Sequence, residues 1–314
     1  MKQNTTKIIE RGLLLATVIF AVIGVLTVFT NSSETKDELP PKNTTYNVKA
    51  IKTPMDVSFA GEQMPMANFD VREALDKELH KVCYWHSETF LYLKRANRYF
   101  PVIEKILKEN NVPEDFKYLA IAESGLENVT SPAGAKGFWQ FMKPTAKEYK
   151  LEVNSEVDER YHLEKSTKAA CQYLKRAYRK FGSWTMAAAA YNTGEGNLER
   201  QVHKQGQTGY HDLLLNSETG RYVYRTVAIK LVLENPSYYR FNIETDDLYK
   251  PYDCKTVILD STVIDFEEYA GMNNTNYKVL KILNPWLRNN SLTNSKKKSY
   301  KIKLPVDGMR QELY

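Results

Sequence analysis

From Asp70 to about residue 240 the chain carries helical periodicity and no strand pattern, and this stretch most narrows the folds open to it. Val71, Leu75, Leu79, Val82 and Tyr92 recur at roughly helical spacing, which predicts a long helix from Asp70 to about Asn97. Further helices are predicted over 101–110, 114–124, 137–149, 159–181, 183–191 and 218–234. Pro113 heads one of them and Gly182 follows another, where a fixed φ suits a helix start and a free one suits its end. The fold class read from this pattern is mainly α.

After Asn235-Pro236 the texture changes. Residues 256–260 read as a strand, 265–271 and 276–283 as short helices, and 299–304 as a returning strand, a small α+β unit. Upstream, residues 31–66 are polar, carry Pro40, Pro41, Pro54 and Pro65, and read as a linker. Before them, Leu13 to Phe29 is free of charge over 17 residues, close to the shortest helix that spans ~30 Å of hydrocarbon. Lys2, Lys7 and Arg11 precede this run, while Glu34, Lys36, Asp37 and Glu38 follow it. That asymmetry keeps the N-terminus cytoplasmic and the rest of the chain outside. A cleaved signal peptide is the competing reading, although Val28-Phe29-Thr30 makes a poor cleavage site. The expected organisation is a cytoplasmic 1–12, a membrane anchor at 13–30, a linker at 31–66, a helical domain at 67–245 and a C-terminal unit at 250–306.

The formal net charge of +6 suits a polyanionic neighbour, but no arginine-rich arm or zinc-type spacing points to nucleic acid. Cys83, Cys171 and Cys254 are too sparse for a disulfide framework, and no ligand spacing suggests a metal. Neither a metal nor an organic cofactor is expected.

Four segments carry possible chemistry. In Leu119-Ala-Ile-Ala-Glu123-Ser124-Gly125 a carboxylate ends an apolar helix, where partial desolvation raises its pKa and suits it to donate a proton. A capped surface glutamate is the plainer reading of that segment alone. In Ser131-Pro-Ala-Gly-Ala-Lys-Gly137-Phe-Trp-Gln140-Phe-Met142, small residues let backbone approach a ligand, aromatic faces could pack on sugars and Gln140 could bond hydroxyl or acetamido groups. A tight loop with core aromatics competes. The all-small run Ala187–Ala190 then delivers Tyr191 and Asn192 at a glycine-rich helix end, and Glu218-Thr-Gly-Arg-Tyr222 opens the last helix.

In this order, Glu123-Ser124, Gly134–Met142, Ala190-Tyr191-Asn192 and Glu218-Thr219 with Tyr222-Val223 resemble the four motifs of lysozyme-like (SLT-type) lytic transglycosylases, in particular their membrane-bound D-type branch. Val157-Asp-Glu-Arg160 and Tyr191-Asn-Thr-Gly-Glu-Gly196 echo the same branch. The resemblance implies a lysozyme-like helical domain, with Glu123 as the single catalytic acid/base. It implies that Ser131 contacts an N-acetyl group, that Gln140 and Asn192 are substrate-binding amides, and that Tyr191 lies close to the catalytic carboxylate. Tyr222 matches a second cleft tyrosine, and Ser124 is counted with the substrate-binding residues. Phe138 and Lys143 depart from the family pattern, at positions that match no catalytic residue. The implied substrate is the glycan strand of peptidoglycan. The implied reaction protonates the oxygen between N-acetylmuramic acid and N-acetylglucosamine, then closes a 1,6-anhydro ring through the muramyl C6 hydroxyl. Residues 255–305, with Asn284-Pro285-Trp286, look similar to a LysM module, and a small domain packed on the catalytic one is the alternative. The expected location is the periplasmic face of a Gram-negative inner membrane. A hydrolytic muramidase on the same fold, or an inactive peptidoglycan-binding envelope protein, remains as a rival reading.

Overall fold

The structure, a computed structural model, describes residues 48–312. The apolar run at 13–29 and its charged flanks lie outside those residues, so neither the anchor nor the signal-peptide reading meets a structural observation. Among the described residues no helix is long and apolar enough to cross a membrane.

The body is helical, as the periodicity implies. Helices Phe69–Tyr84 and Thr219–Glu234 pack on one another. Leu163–Phe181 packs on Trp184–Thr193, and Phe116–Ser124 lies against Thr219–Glu234. At the centre, Ala187, Ala188, Ala189 and Ala190 are fully buried, and their small side chains let neighbouring helices approach closely. The helix predicted over 70–97 is two helices: it breaks at Trp85, and the second, His86–Glu109, continues through Pro101. A helix at Glu195–Gln205 has too few apolar positions for periodicity to reveal it, with Leu198 its one fully buried residue. The 137–149 helix exists only as Lys143–Glu148, because the residues before it form an irregular loop with Gln140 at φ +47°.

The linker reading fails from Val57 onward. Val57, Phe59, Met64 and Met66 are buried in the main core, carried by a hairpin of β1, Ser58–Phe59, and β2, Glu62–Gln63. Four apolar residues in a proline-bearing polar stretch show no sustained period, so the pattern did not betray them. The hairpin also closes the buried alanine helix. Glu62 accepts from the backbone N–H groups of Trp184 and Thr185 and from the hydroxyls of Ser183 and Thr185. At its other side, the Ala60 N–H and the Lys230 ammonium both donate to Asp115 Oδ2 at 2.7 Å.

The C-terminal unit follows the expected order. Strand β3, Cys254–Leu259, pairs antiparallel with β4, Tyr300–Pro305, in the register Cys254↔Pro305 to Leu259↔Tyr300. Between them lie helices Phe266–Met272 and Tyr277–Leu283, N-capped by Asp265 and Asn276. The fully buried Asn284 clamps helix end to strand, its amide giving to the Lys303 carbonyl at 2.7 Å and accepting from the Lys303 N–H at 2.8 Å. The unit is not detached. Val157 and Tyr161 of the helical body sit in one apolar cluster with Phe266, Trp286, Leu287 and Ile302.

A fragment beginning at residue 50 should therefore melt well above one beginning at residue 67. Loss of the buried Phe59 side chain alone is of the order of 3 kcal/mol. Thermal melting of the two fragments checks this, and equal midpoints would show that the hairpin adds nothing to the core.

Candidate active site

Glu123, half-buried, is the penultimate residue of Phe116–Ser124, a helix whose buried members are Phe116, Tyr118, Leu119, Ala120, Ile121 and Ala122. Gly125 ends it in a left-handed conformation, with its N–H on the Ile121 carbonyl at 2.7 Å. The helix thus delivers a carboxyl into an apolar interior while a solvent path still reaches it. Burial raises the Glu123 pKa from 4.5 to about 7, and the Glu218 charge pushes the same way. A hydrogen bond from the Tyr222 hydroxyl and the Arg225 charge oppose that rise without cancelling it. Near neutrality both protonation states are populated, as a group that first gives and then takes a proton requires.

The phenol on Glu123 belongs to Tyr222, which is buried in the helix Thr219–Glu234. Tyr191, which the resemblance sets beside the acid, instead donates to the Trp139 carbonyl at 2.7 Å. Its ring packs on Trp139, Phe141 and Tyr173, and the Glu123 charge helps to hold its phenol well above the usual range. It therefore lies within electrostatic reach of the acid and also buttresses the loop. Ser124 likewise ties the acid's helix to that loop, through its hydroxyl to the Phe138 carbonyl at 2.9 Å.

The loop from Ser131 to Met142 is folded on itself. The Ser131 hydroxyl accepts from the Ala135 N–H at 3.0 Å, which leaves its own proton for another acceptor. The Gln140 amide nitrogen donates to the Gly137 carbonyl at 2.8 Å and the Val129 carbonyl at 3.3 Å. Phe138, Trp139 and Phe141 do not line a sugar face; they are core residues, and Trp139 Nε1 donates to the buried Thr167 hydroxyl at 2.8 Å. Asn192 Oδ1 accepts from the Thr219 hydroxyl at 2.8 Å and its Nδ2 donates to Glu218 at 3.3 Å, which joins two of the four motifs.

Three features escaped the sequence reading. Arg160 grips Asp158 through Nε and Nη2 at 2.8 and 2.7 Å, and its Nη1 reaches the Gly134 and Phe141 carbonyls. Gly137, at φ +79°, lies so close to the Arg160 carbonyl that a Cβ would come within 1.9 Å of it. Arg225 acts on Glu123 from one turn beyond Tyr222, a spacing that could have suggested it. Glu127 and Glu195, the further acids near the motifs, are paired with Arg95 and Arg176. Among the described residues no cluster of three or more His, Cys, Asp or Glu could hold a metal ion.

Residues 100–214 match the transglycosylase SLT domain, and residues 255–308 match the soluble lytic transglycosylase C-terminal LysM-like domain. The membrane-bound lytic murein transglycosylases D of Escherichia coli K12 and of Escherichia coli O6:H1 are each 30% identical over 244 residues, 75% of this chain and 52% of theirs. The chain thus spans about half the length of these curated relatives. A solved 70 kDa soluble lytic transglycosylase of Escherichia coli aligns over 49% of this chain and 27% of that one, at 22% identity and a TM-score of 0.37. That likeness is too loose to carry an argument.

The raised pKa of Glu123 has a stability consequence of definite sign. The folded pKa lies above the unfolded value, so the parent keeps full stability below about 4.5 and loses it as pH rises through about 7. Glu123→Gln cannot suffer that loss. Its stability relative to the parent should grow between pH 5 and pH 8, by at most about 3 kcal/mol. Thermal melting at both pH values reads this, and a difference that stays constant with pH would mean that Glu123 is not held near 7.

Proposed function

Because the chain carries a transglycosylase SLT domain joined to a LysM-like C-terminal domain, we propose that it is a peptidoglycan lytic transglycosylase with Glu123 as its acid/base. The observation that carries the reading is a desolvated carboxyl poised near neutrality with a phenol on one oxygen. Ordinary glycosidases use two carboxylates across the scissile bond. Here the other acids near the motifs are engaged with Arg95, Arg176 and Asn192. A single carboxyl suffices when the substrate supplies its own nucleophile.

In the first step protonated Glu123 gives its proton to the oxygen between N-acetylmuramic acid and N-acetylglucosamine. The muramyl C1–O bond breaks and the sugar's 2-acetamido group stabilises the cationic centre. In the second step the Glu123 carboxylate takes the proton of the muramyl C6 hydroxyl, whose oxygen closes on C1. The products are a 1,6-anhydromuramyl end and a free N-acetylglucosamine 4-hydroxyl, and no water is consumed. Tyr222 stabilises the carboxylate form between the steps. Ser131, Gln140 and Asn192 supply hydrogen bonds to hydroxyl and acetamido groups, Ser131 through the proton its loop bond leaves unused. Ser124 holds the loop against the acid's helix, and Tyr191 holds it against Trp184–Thr193.

Location outside the cytoplasmic membrane, with residues 13–30 as anchor, is supported by the charge asymmetry of the N-terminus and by the membrane-bound relatives.

Digestion of purified sacculi tests the assignment. The expected products are 1,6-anhydromuropeptides; products ending in reducing muramic acid would assign a hydrolytic muramidase instead. Glu123→Gln should lose ~10²–10⁴-fold or more in rate, since one group serves both steps. An active Glu123→Gln variant would overturn the mechanism.

Tyr222→Phe removes a bond that lowers the Glu123 pKa. The limb of the pH–rate profile on which activity falls with rising pH should therefore move to higher pH. Tyr191→Phe, whose hydroxyl bonds the Trp139 carbonyl, should move it less. Equal shifts, or none, would argue against Tyr222 as the residue that tunes the acid.

A further inference from the structure

Between the helical body and the C-terminal unit runs a groove that the mechanism above does not use. Two adjoining cavities, of about 250 and 820 Å³, share Arg98, Tyr99, Asn128, Phe138, Ile282 and Pro285 as lining. One wall of the larger is Leu126–Val129, the segment that leads from Glu123 to Ser131 and whose Val129 carbonyl receives the Gln140 amide. The opposite wall is the helix Tyr277–Leu283. The wall of the groove is thus the stretch of chain between Glu123 and Ser131, so a polymer lying across those two residues would run beside it.

The lining is cationic, and most of its positive charge is uncompensated. Glu127 and Glu164 are the acids in it, and each is already paired, with Arg95 and with Lys303. Arg98 rests instead on neutral acceptors, the Lys250 carbonyl at 2.9 Å and the Tyr252 hydroxyl at 3.0 Å, between the rings of Tyr249 and Tyr252. Lys281 donates to the Asn289 carbonyl at 2.9 Å and lies over the Tyr277 ring. Lys278 is exposed at the rim. Among the described residues none of Arg98, Lys278 and Lys281 pairs with a carboxylate. Burial and the Arg288 charge push the Lys281 pKa down to about 8, as befits a cation waiting for an anion. Desolvated cations beside aromatic rings favour a carboxylate on a short, partly apolar arm.

We propose that this groove binds the acidic peptide branches of the glycan strand being cut, with Arg98, Lys278 and Lys281 receiving their carboxylates. The proposal rests on the peptidoglycan reading for the identity of the ligand. The sugars of that polymer are neutral once the lactyl group is amidated, so its carboxylates sit on the branches. A groove walled by the residues just before Ser131 is where such a branch would fall.

The test has one arm that needs no turnover. A synthetic alanyl-γ-glutamyl-diaminopimelate tripeptide is titrated calorimetrically into the full chain in detergent micelles. Binding is expected, weakening with salt, and falling at least tenfold in Lys278→Glu and in Lys281→Met, which keeps the apolar stem. Lys278 has no partner to lose, so its variant should keep the parent melting temperature. The second arm compares cleavage of intact strands with strands stripped of peptide by an amidase. The parent should prefer intact strands, and both variants should lose that preference while keeping the parent rate on stripped ones. Absence of tripeptide binding by the parent at millimolar concentration, or equal binding by parent and variants, overturns the groove assignment. Failure to cut either strand would sink the transglycosylase reading, with the titration still deciding for or against the groove.

Discussion

The buried pair of Asp158 and Arg160 is the interaction on which the rest of the architecture around the acid depends. Both residues are nearly inaccessible, and the guanidinium spends its remaining donor on two loop carbonyls, from Gly134 and Phe141. A bidentate pair of this kind is costly to desolvate, and removing one partner strands the other, typically a loss of about 3–5 kcal/mol. Its return is geometric. It fixes the loop that carries Ser131 and Gln140, and that loop in turn receives the hydroxyls of Ser124 and Tyr191 through the Phe138 and Trp139 carbonyls. Motif side chains thus hold the loop through its backbone carbonyls, not through contacts with one another.

Much of this was legible in the sequence, for identifiable reasons. Thr219–Glu234 and the strand-helix-helix-strand order of the C-terminal unit have periods that survive tertiary context. Glu123 stood out through the ordered set of four motifs, since its apolar helix alone reads as well as a capped surface glutamate. What escaped were the long-range pairings. Nothing in local pattern says that the phenol meeting Glu123 comes from Tyr222, 99 positions away, while Tyr191 turns to a carbonyl. Phe138, Trp139 and Phe141 carried two readings, sugar platform or core, and only packing separates them. Val57 to Met66 looked like tether because a hairpin with two-residue strands is too short to show alternation.

The acidity of Glu123 shows how opposed effects are settled by magnitude. Burial alone is the largest influence, and the two that favour the anion, Tyr222 and Arg225, moderate it. Without them the carboxyl would hold its proton to higher pH; without burial it would be ionised near neutrality. The phenol, itself pushed far above its usual range by the same carboxylate and by burial, stays a donor throughout. The pair is therefore a tuned acid rather than a relay.

The segment Glu156–Arg160 has two working sides. One holds the loop of Ser131 to Met142 through Arg160. The other pairs backbone to backbone with the C-terminal unit, Asp158 N–H to the Trp286 carbonyl at 2.9 Å and Arg288 N–H to the Glu156 carbonyl at 2.7 Å. Two modules joined this way share one bar, as the jaws of a caliper do. A substitution that loosens Glu156–Arg160 would therefore disturb the loop of Ser131 and the C-terminal unit together.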